Sequence, residues 1–207
     1  MTSVRKLVGV LCLGLFLAAP AALSADIVTF HMDSVSGNQL GGYLVYPYYA
    51  DVNGGPISPV ICDDFYGREQ VGDTWPAYRT YLASMDVSNT KFQNLQLYQE
   101  MAWLANQALL TSDPLQQGEI NWALWEMTSP GLKFNDPGTQ LAIENWIAEA
   151  LANYLNGPNP PWEQAIIYTP VDHVNQEMIQ IAAPEPGTAI LFGSGIIGLW
   201  SQRKRIF

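Results

Sequence analysis

Histidine and cysteine are nearly absent from this chain, and positive charge is missing from most of its length. Its 207 residues include two histidines, two cysteines, and nine lysines and arginines against nineteen aspartates and glutamates. His31 and His173 lie far apart, and no motif supplies partners beside either. A zinc site or a Ser-His-Asp arrangement therefore has little to build from. Five of the nine basic residues stand at the two ends, as Arg5, Lys6, Arg203, Lys204 and Arg205. Between them, residues 26–183 carry four basic residues against eighteen acidic ones, a net charge of −14. Binding to phosphate backbones needs dense lysine and arginine, so this balance argues against nucleic acid and anionic membrane surfaces as partners of the body. No internal repeat or long low-complexity linker divides it. It is one domain's worth of chain, large enough to bury a core, and rich enough in aliphatic and aromatic residues to fold.

The basic ends each flank an apolar stretch. Arg5 and Lys6 precede Leu7–Ala22, and Ala22-Leu23-Ser24-Ala25 offers small residues for cleavage, so residues 1–25 read as a secretory signal peptide. At the other end, Gly187–Trp200 is uncharged and ends against Arg203, Lys204 and Arg205. Its fourteen residues would span about 21 Å as a helix, less than the roughly 30 Å of a bilayer core. Gly193, Gly195 and Gly198 suit a membrane helix better than one in water, and the basic cluster would hold its end on the cytoplasmic side.

Together with Pro184-Glu185-Pro186, this tail resembles the PEP-CTERM sorting signal of bacterial exported proteins over residues 184–207. The resemblance implies recognition by exosortase, a membrane-embedded cysteine transpeptidase that cuts near Pro-Glu-Pro and releases or re-attaches the body. It also implies transient residence in the inner membrane, then a place at the cell surface or outside the cell.

With Cys12 inside the signal peptide, Cys62 is the one cysteine left in the body, where an oxidising compartment demands an account of it: an intermolecular pair, a reactive thiol or burial. Around it the pattern is of strands. Ile27–Met32, Tyr43–Tyr49 (with Pro47 marking an edge or bulge), Pro59–Cys62 and Trp75–Leu82 are β-rich and separated by turn residues. Helical spacing follows. Thr90 and Gln93 form a capping box before a helix reaching Leu110, Asp113-Pro114 opens a second, and Ile143, Trp146, Ile147, Ala150, Leu151 and Tyr154 mark the stripe of a third. Short strands are expected again at Ala165–Tyr168 and Glu177–Ile181. The fold class is α+β: antiparallel strands early and late with a three-helix block between them.

Cys62-Asp63-Asp64 at the end of a strand, with Ala102-Trp103-Leu104 and Asn121-Trp122-Ala123-Leu124-Trp125 on helices, resembles the thioester domains of bacterial surface adhesins over residues 43–128. In that family a cysteine thiol condenses with a glutamine carboxamide from a helical Gln-x-Ala-x-Trp segment, giving an electrophile for amines or hydroxyls on a partner surface. Asn121 occupies the glutamine position here, with its carboxamide one methylene closer to the backbone. Gln116 and Gln117 lie about a turn away on other faces. The resemblance implies the fold, with Cys62 either a buried small hydrophobe or, paired with Asn121, half of a thioester.

Other constellations are weaker. Glu119 and Glu126 flank Trp122 and Trp125, as paired carboxylates do in sugar-cleaving clefts, but they also fit a solvated acidic stripe. Asp63, Asp64, Glu69 and Asp73 are oxygen-rich enough for calcium yet lack the spacing of a calcium loop. Tyr46, Tyr48, Tyr49, Trp75 and Trp162 are candidates for an exposed aromatic patch for glycans. No catalytic set, cofactor or metal is expected. The expectation is a non-enzymatic structural, adhesive or binding module meeting a polysaccharide or surface partner; covalent adhesion and polysaccharide hydrolysis are the alternatives.

Overall fold

The computed structural model describes residues 26–68, 70–157 and 160–182. The expected signal peptide, the Pro184-Glu185-Pro186 motif, the apolar tail and the basic cluster lie outside these. No helix among the described residues is long and apolar enough to cross a membrane.

The architecture is mixed α and β: a closed six-stranded antiparallel barrel with three helices packed against it. The strands are β1 (Ile27–Val35), β4 (Tyr48–Val52), β5 (Ser58–Cys62), β6 (Thr74–Tyr81), β7 (Ala165–Pro170) and β8 (Met178–Ile181), in the closed order β1-β4-β5-β8-β7-β6. A separate two-stranded ribbon joins β2 (Gln39–Leu40) to β3 (Tyr43–Leu44). The helices are α1 (Leu95–Leu110), α2 (Pro114–Thr128) and α3 (Pro137–Asn153).

Alternation sets the barrel interior. Along β1, Val28, Phe30 and Met32 are buried while Ile27 and Thr29 face out, as a period of two requires. Phe30 meets Trp75 and Tyr168 with ring centroids 5.0 and 5.2 Å apart, so three strands share one aromatic contact across the lumen. Pro76 sits within β6 without disrupting it. Its carbonyl accepts from the N–H of Val171, so its missing N–H points to the same side, where the ladder with β7 has ended at Ala77 opposite Pro170.

The helices follow their capping residues. Asp113 and Asp136 each cap a helix that opens on proline, accepting from the N–H groups of Leu115 and Thr139. α1 departs from the expected start. Its cap is Asn94 rather than Thr90, whose hydroxyl donates to the Val87 carbonyl. The chain between is diverted because the Lys91 N–H donates to Glu177 and the Phe92 N–H to the Tyr98 hydroxyl. The expected strand over Tyr43–Tyr49 is also divided, with a cis Tyr46–Pro47 bond between β3 and β4. In α3 the expected stripe narrows: Ile143 and Ala150 are buried, but Leu151 is exposed.

α2 is buried almost all round from Ile120 to Trp125, since it lies between the ribbon and β5 on one side and α1 and α3 on the other. That position brings its side chains to the end of β5.

Candidate functional site

At the end of β5, Cys62 is wholly buried and its thiol donates to the Asp64 carbonyl. Asn121, on the α2 face directed at this strand, uses both ends of its carboxamide. Nδ2 donates to the Cys62 carbonyl at 2.9 Å, and Oδ1 accepts from the Tyr46 N–H at 2.8 Å. The two residues of the thioester resemblance therefore meet, through the cysteine's backbone carbonyl. About two turns further along α2, the Thr128 hydroxyl donates to the Asp63 carbonyl, fixing the next residue. Gln117, the nearest glutamine, is turned toward the other end of the helix, where it accepts from Asn38 and donates to Thr111.

Beyond Cys62 the two aspartates diverge. Asp63 is fully buried, and its carboxyl lies against that of Glu177, also fully buried. Glu177 accepts from the hydroxyls of Tyr98 and Thr169 and from the Lys91 N–H. Burial, then the charge and hydrogen bond of Glu177, push Asp63 well above the ordinary carboxylate range, with Lys91 opposing. Burial also raises Glu177, against hydrogen bonds that favour its charged form, one of them from Asp63. Two carboxyls buried against each other disfavour joint ionisation, so both are pushed toward the protonated form, Asp63 the more strongly. Asp64 turns the other way, into an ion pair with Lys91, and also accepts from the Tyr66 N–H.

Beside this crossing lies a cleft of about 440 Å³ lined by Tyr43 and Leu44 of the ribbon, Phe65, Gly67, Arg68, Gln70 and Asp73 between β5 and β6, Trp125 of α2, and Asn175 and Gln176 before β8. Aromatic rings form one wall. Tyr43 lies 5.1 Å from Phe65, and Phe65 lies 5.2 Å from Trp125. Polar groups form the other wall. Trp125 and Gln176 are buried, and Trp125 Nε1 and Gln176 Oε1 have no hydrogen-bond partner among the described residues. The Gln176 amide donates to the Asp64 carbonyl, tying the cleft to the acidic crossing. Gly67 is required where these segments meet: a Cβ there would stand 2.7 Å from the Gln176 Cα and 2.9 Å from the Asp64 carboxylate.

The expected aromatic patch is placed differently. Tyr46, Tyr48, Trp75 and Trp162 are buried and Tyr49 is half-buried, so they belong to the barrel and its surroundings. Among the described residues the accessible tyrosine rings are Tyr43, Tyr66 and Tyr81, of which Tyr43 lines the cleft. Of the acidic group considered for calcium, Asp63, Asp64 and Asp73 are committed to Glu177, Lys91 and the Gln70 N–H, and Glu69 lies outside the described residues. No group of three or more histidine, cysteine, aspartate or glutamate side chains among the described residues could hold a metal ion.

Glu126 is not on a solvated stripe. Its side chain is only 3 % exposed and pairs with Lys133, while Glu119 accepts from the Trp146 indole. Both glutamates thus tie α2 to α3 and the segment leading to it.

Sequence reasoning missed Glu177, Lys91 and Gln176. A usable signal was present for two of them: Lys91 is one of only four cations in the body, and Glu177 opens an otherwise uncharged strand.

No family model matches the chain, and no curated protein matches it in sequence. Solved structures similar to it include the N-terminal thioester domain of a surface protein from Clostridium perfringens, at 10 % identity over 76 % of this chain and 99 % of that one, with a TM-score of 0.46. The N-terminal domain of the Streptococcus pyogenes pilus tip adhesin Cpa is similar at 10 % identity over 78 % and 95 %, with a TM-score of 0.48. The N-terminal thioester domain of the fibronectin-binding protein SfbI from Streptococcus pyogenes is similar at 10 % identity over 77 % and 95 %, with a TM-score of 0.47.

Proposed function

We propose that this chain is an exported, non-enzymatic binding or adhesive module that works at the cell surface or in the extracellular matrix. Residues 1–25 direct it across the inner membrane. Residues 184–207 tether it there briefly until an exosortase-type transpeptidase acts near Pro184-Glu185-Pro186. The observation that carries the binding role is the cleft, where an accessible aromatic wall faces polar side chains. Tyr43 is 49 % exposed and lines the cleft, so Tyr43→Ala alters the cleft wall.

The experiment is retention of the full chain on matrix-bearing cells, compared with Tyr43→Ala at equal thermal stability. Loss of retention in the variant supports the reading, and equal retention removes it. Fractionating cells with and without the transpeptidase tests the sorting step; unchanged size and location in both would count against it.

A second reading is covalent capture through a Cys62–Asn121 thioester, favoured by the hydrogen bond that brings the Asn121 carboxamide to the end of β5. In that reaction the thiol sulfur bonds to Asn121 Cγ, the Cγ–Nδ2 bond breaks, and ammonia leaves with the thiol proton. The protein would then be one ammonia lighter, and amine treatment would restore a thiol that alkylates. Full intact mass after denaturation would leave only non-covalent binding.

A further inference from the structure

We propose that the cleft takes a neutral saccharide, one ring face laid against Tyr43 and Phe65 and its hydroxyls held by Arg68, Gln70 and Asp73. The inference rests on the binding role proposed above and names the ligand class.

Four properties of the site point that way. The first is shape. At about 440 Å³ the cleft falls within the range of small-ligand sites. The second is the aromatic wall. Tyr43 is half exposed, yet its ring is fixed from behind by Phe65 at 5.1 Å, Trp122 at 5.7 Å and Trp125 at 6.4 Å. A pyranose has an apolar C–H face and a rim of hydroxyls. An ordered aromatic ring with one side open matches that face at low entropic cost.

The third property is the mixture of donors and acceptors. A hydroxyl both donates and accepts. The Arg68 guanidinium offers only donors, the Asp73 carboxylate only acceptors, and the exposed Gln70 amide both.

The fourth is charge. Arg68 and Asp73 offset each other in the lining, while the body as a whole carries −14. A field of that sign repels polyanionic glycans and leaves neutral ones unaffected. The site is held in shape from both sides: the Arg68 N–H donates to the Val174 carbonyl, Arg68 bridges Asn175, and Gln176 is tied to the Asp64 carbonyl.

The experiment is saturation-transfer NMR on the full chain in mild detergent. The probes are gluco-, manno- and galacto-oligosaccharides, with a uronate-containing oligosaccharide as the anionic control. The expected result is transfer to the ring C–H protons of at least one neutral probe and none to the control. Tyr43→Ala and Asp73→Asn should each weaken that binding by about tenfold, measured well below the melting temperature of each variant. Transfer to the control alone would overturn the proposal. So would an absence of transfer from every neutral probe. If retention on cells still requires Tyr43 in that case, the cleft binds another class of ligand, and only the saccharide assignment falls. If retention is also indifferent to Tyr43, the binding role falls with it.

Discussion

Asn121 joins the end of β5 to the start of β4: its Nδ2 holds the Cys62 carbonyl at 2.9 Å while its Oδ1 holds the Tyr46 N–H at 2.8 Å. Neither segment's backbone group has water within reach, because Asn121 and Cys62 are wholly buried and Tyr46 is nearly so. Asn121→Ala removes both hydrogen bonds. At about 1–3 kcal/mol for each, the loss should be roughly 2–6 kcal/mol, measured as a shift in urea midpoint with an unchanged slope. Asn121→Asp is the sharper variant. It keeps the bond from Tyr46 but sets a carboxylate oxygen against the Cys62 carbonyl, so it should destabilise at neutral pH and recover partly in acid. A variant as stable as the parent would mean that the carboxamide is not the clamp described.

The mutual burial of Asp63 and Glu177 gives a pH dependence of known sign. Both groups have folded-state affinities for protons above their unfolded ones. Between the ordinary carboxylate range and the raised folded value, the native state binds more protons than the unfolded state. Stability therefore falls as pH rises through that window. Asp63→Asn keeps the shape and still donates to Glu177, but no longer needs the proton. It should raise the melting temperature more at pH 8 than at pH 4.5 and flatten the decline between them. An equal loss at both pH values would show that the pair is not pushed toward the protonated form.

Much of this architecture was legible in the sequence, and the exceptions share a cause. Asp113-Pro114 marks the start of α2 to the residue, because a cap and a proline at the first turn act locally. Strands β1, β5, β6, β7 and β8 follow their β-rich runs within a few residues. Barrel closure was not readable, since the pairing of β1 with β6 depends on distant partners and not on either strand's pattern. The same applies to Thr90 and Gln93, whose spacing satisfies a capping box while the backbone beside them is drawn to Glu177, 86 residues away. The resemblance singled out Asn121 and Cys62, which meet here through the cysteine's backbone carbonyl. Asp63 with Glu177 was not legible, because nothing in two isolated acidic residues says that they will be buried against each other. Aromatic residues misled for a related reason: Trp75 and Trp162 fill the protein interior, whereas Tyr43 reaches the cleft on a ribbon of two-residue strands.

The Lys91–Asp64 ion pair joins a surface residue to a buried one, with side-chain exposures of 31 % and 4 %. Lys91→Met leaves the Asp64 carboxylate buried with only the Tyr66 N–H as a remaining side-chain partner. Solvent screening on the lysine side places the cost between that of an exposed pair and a buried one, about 1–3 kcal/mol. Asp64→Leu combined with Lys91→Met removes the stranded charge and should recover part of that loss. Urea denaturation of the two single variants and the double variant measures the coupling. Strict additivity would show that the two side chains do not act on each other.

Gly41 determines how the β2–β3 ribbon sits on α2, and through it where Tyr43 stands. Its φ of +63° is in the left-handed region, and a Cβ there would lie 2.7 Å from the Phe134 ring. Phe134 cannot easily withdraw, because its ring packs edge-on to Trp122 at 4.8 Å and its N–H donates to Gln140. Gly41→Ala thus combines a backbone penalty of about 1–2 kcal/mol with a steric one. The ribbon has two residue pairs of its own and is otherwise held by the Trp122 indole bond to the Leu40 carbonyl, the Tyr48 hydroxyl bond to the Leu44 carbonyl and the Tyr43 ring contacts. The strain should be relieved by lifting the ribbon, not by unfolding the barrel. Amide exchange at residues 39–46 should rise by an order of magnitude or more, while exchange along β1 and β7 stays near its original rate. Retention on matrix-bearing cells should fall along with it, although Tyr43 itself is unaltered. If exchange rose equally in the barrel, the ribbon would be part of the global folding unit and not a separately movable wall of the cleft.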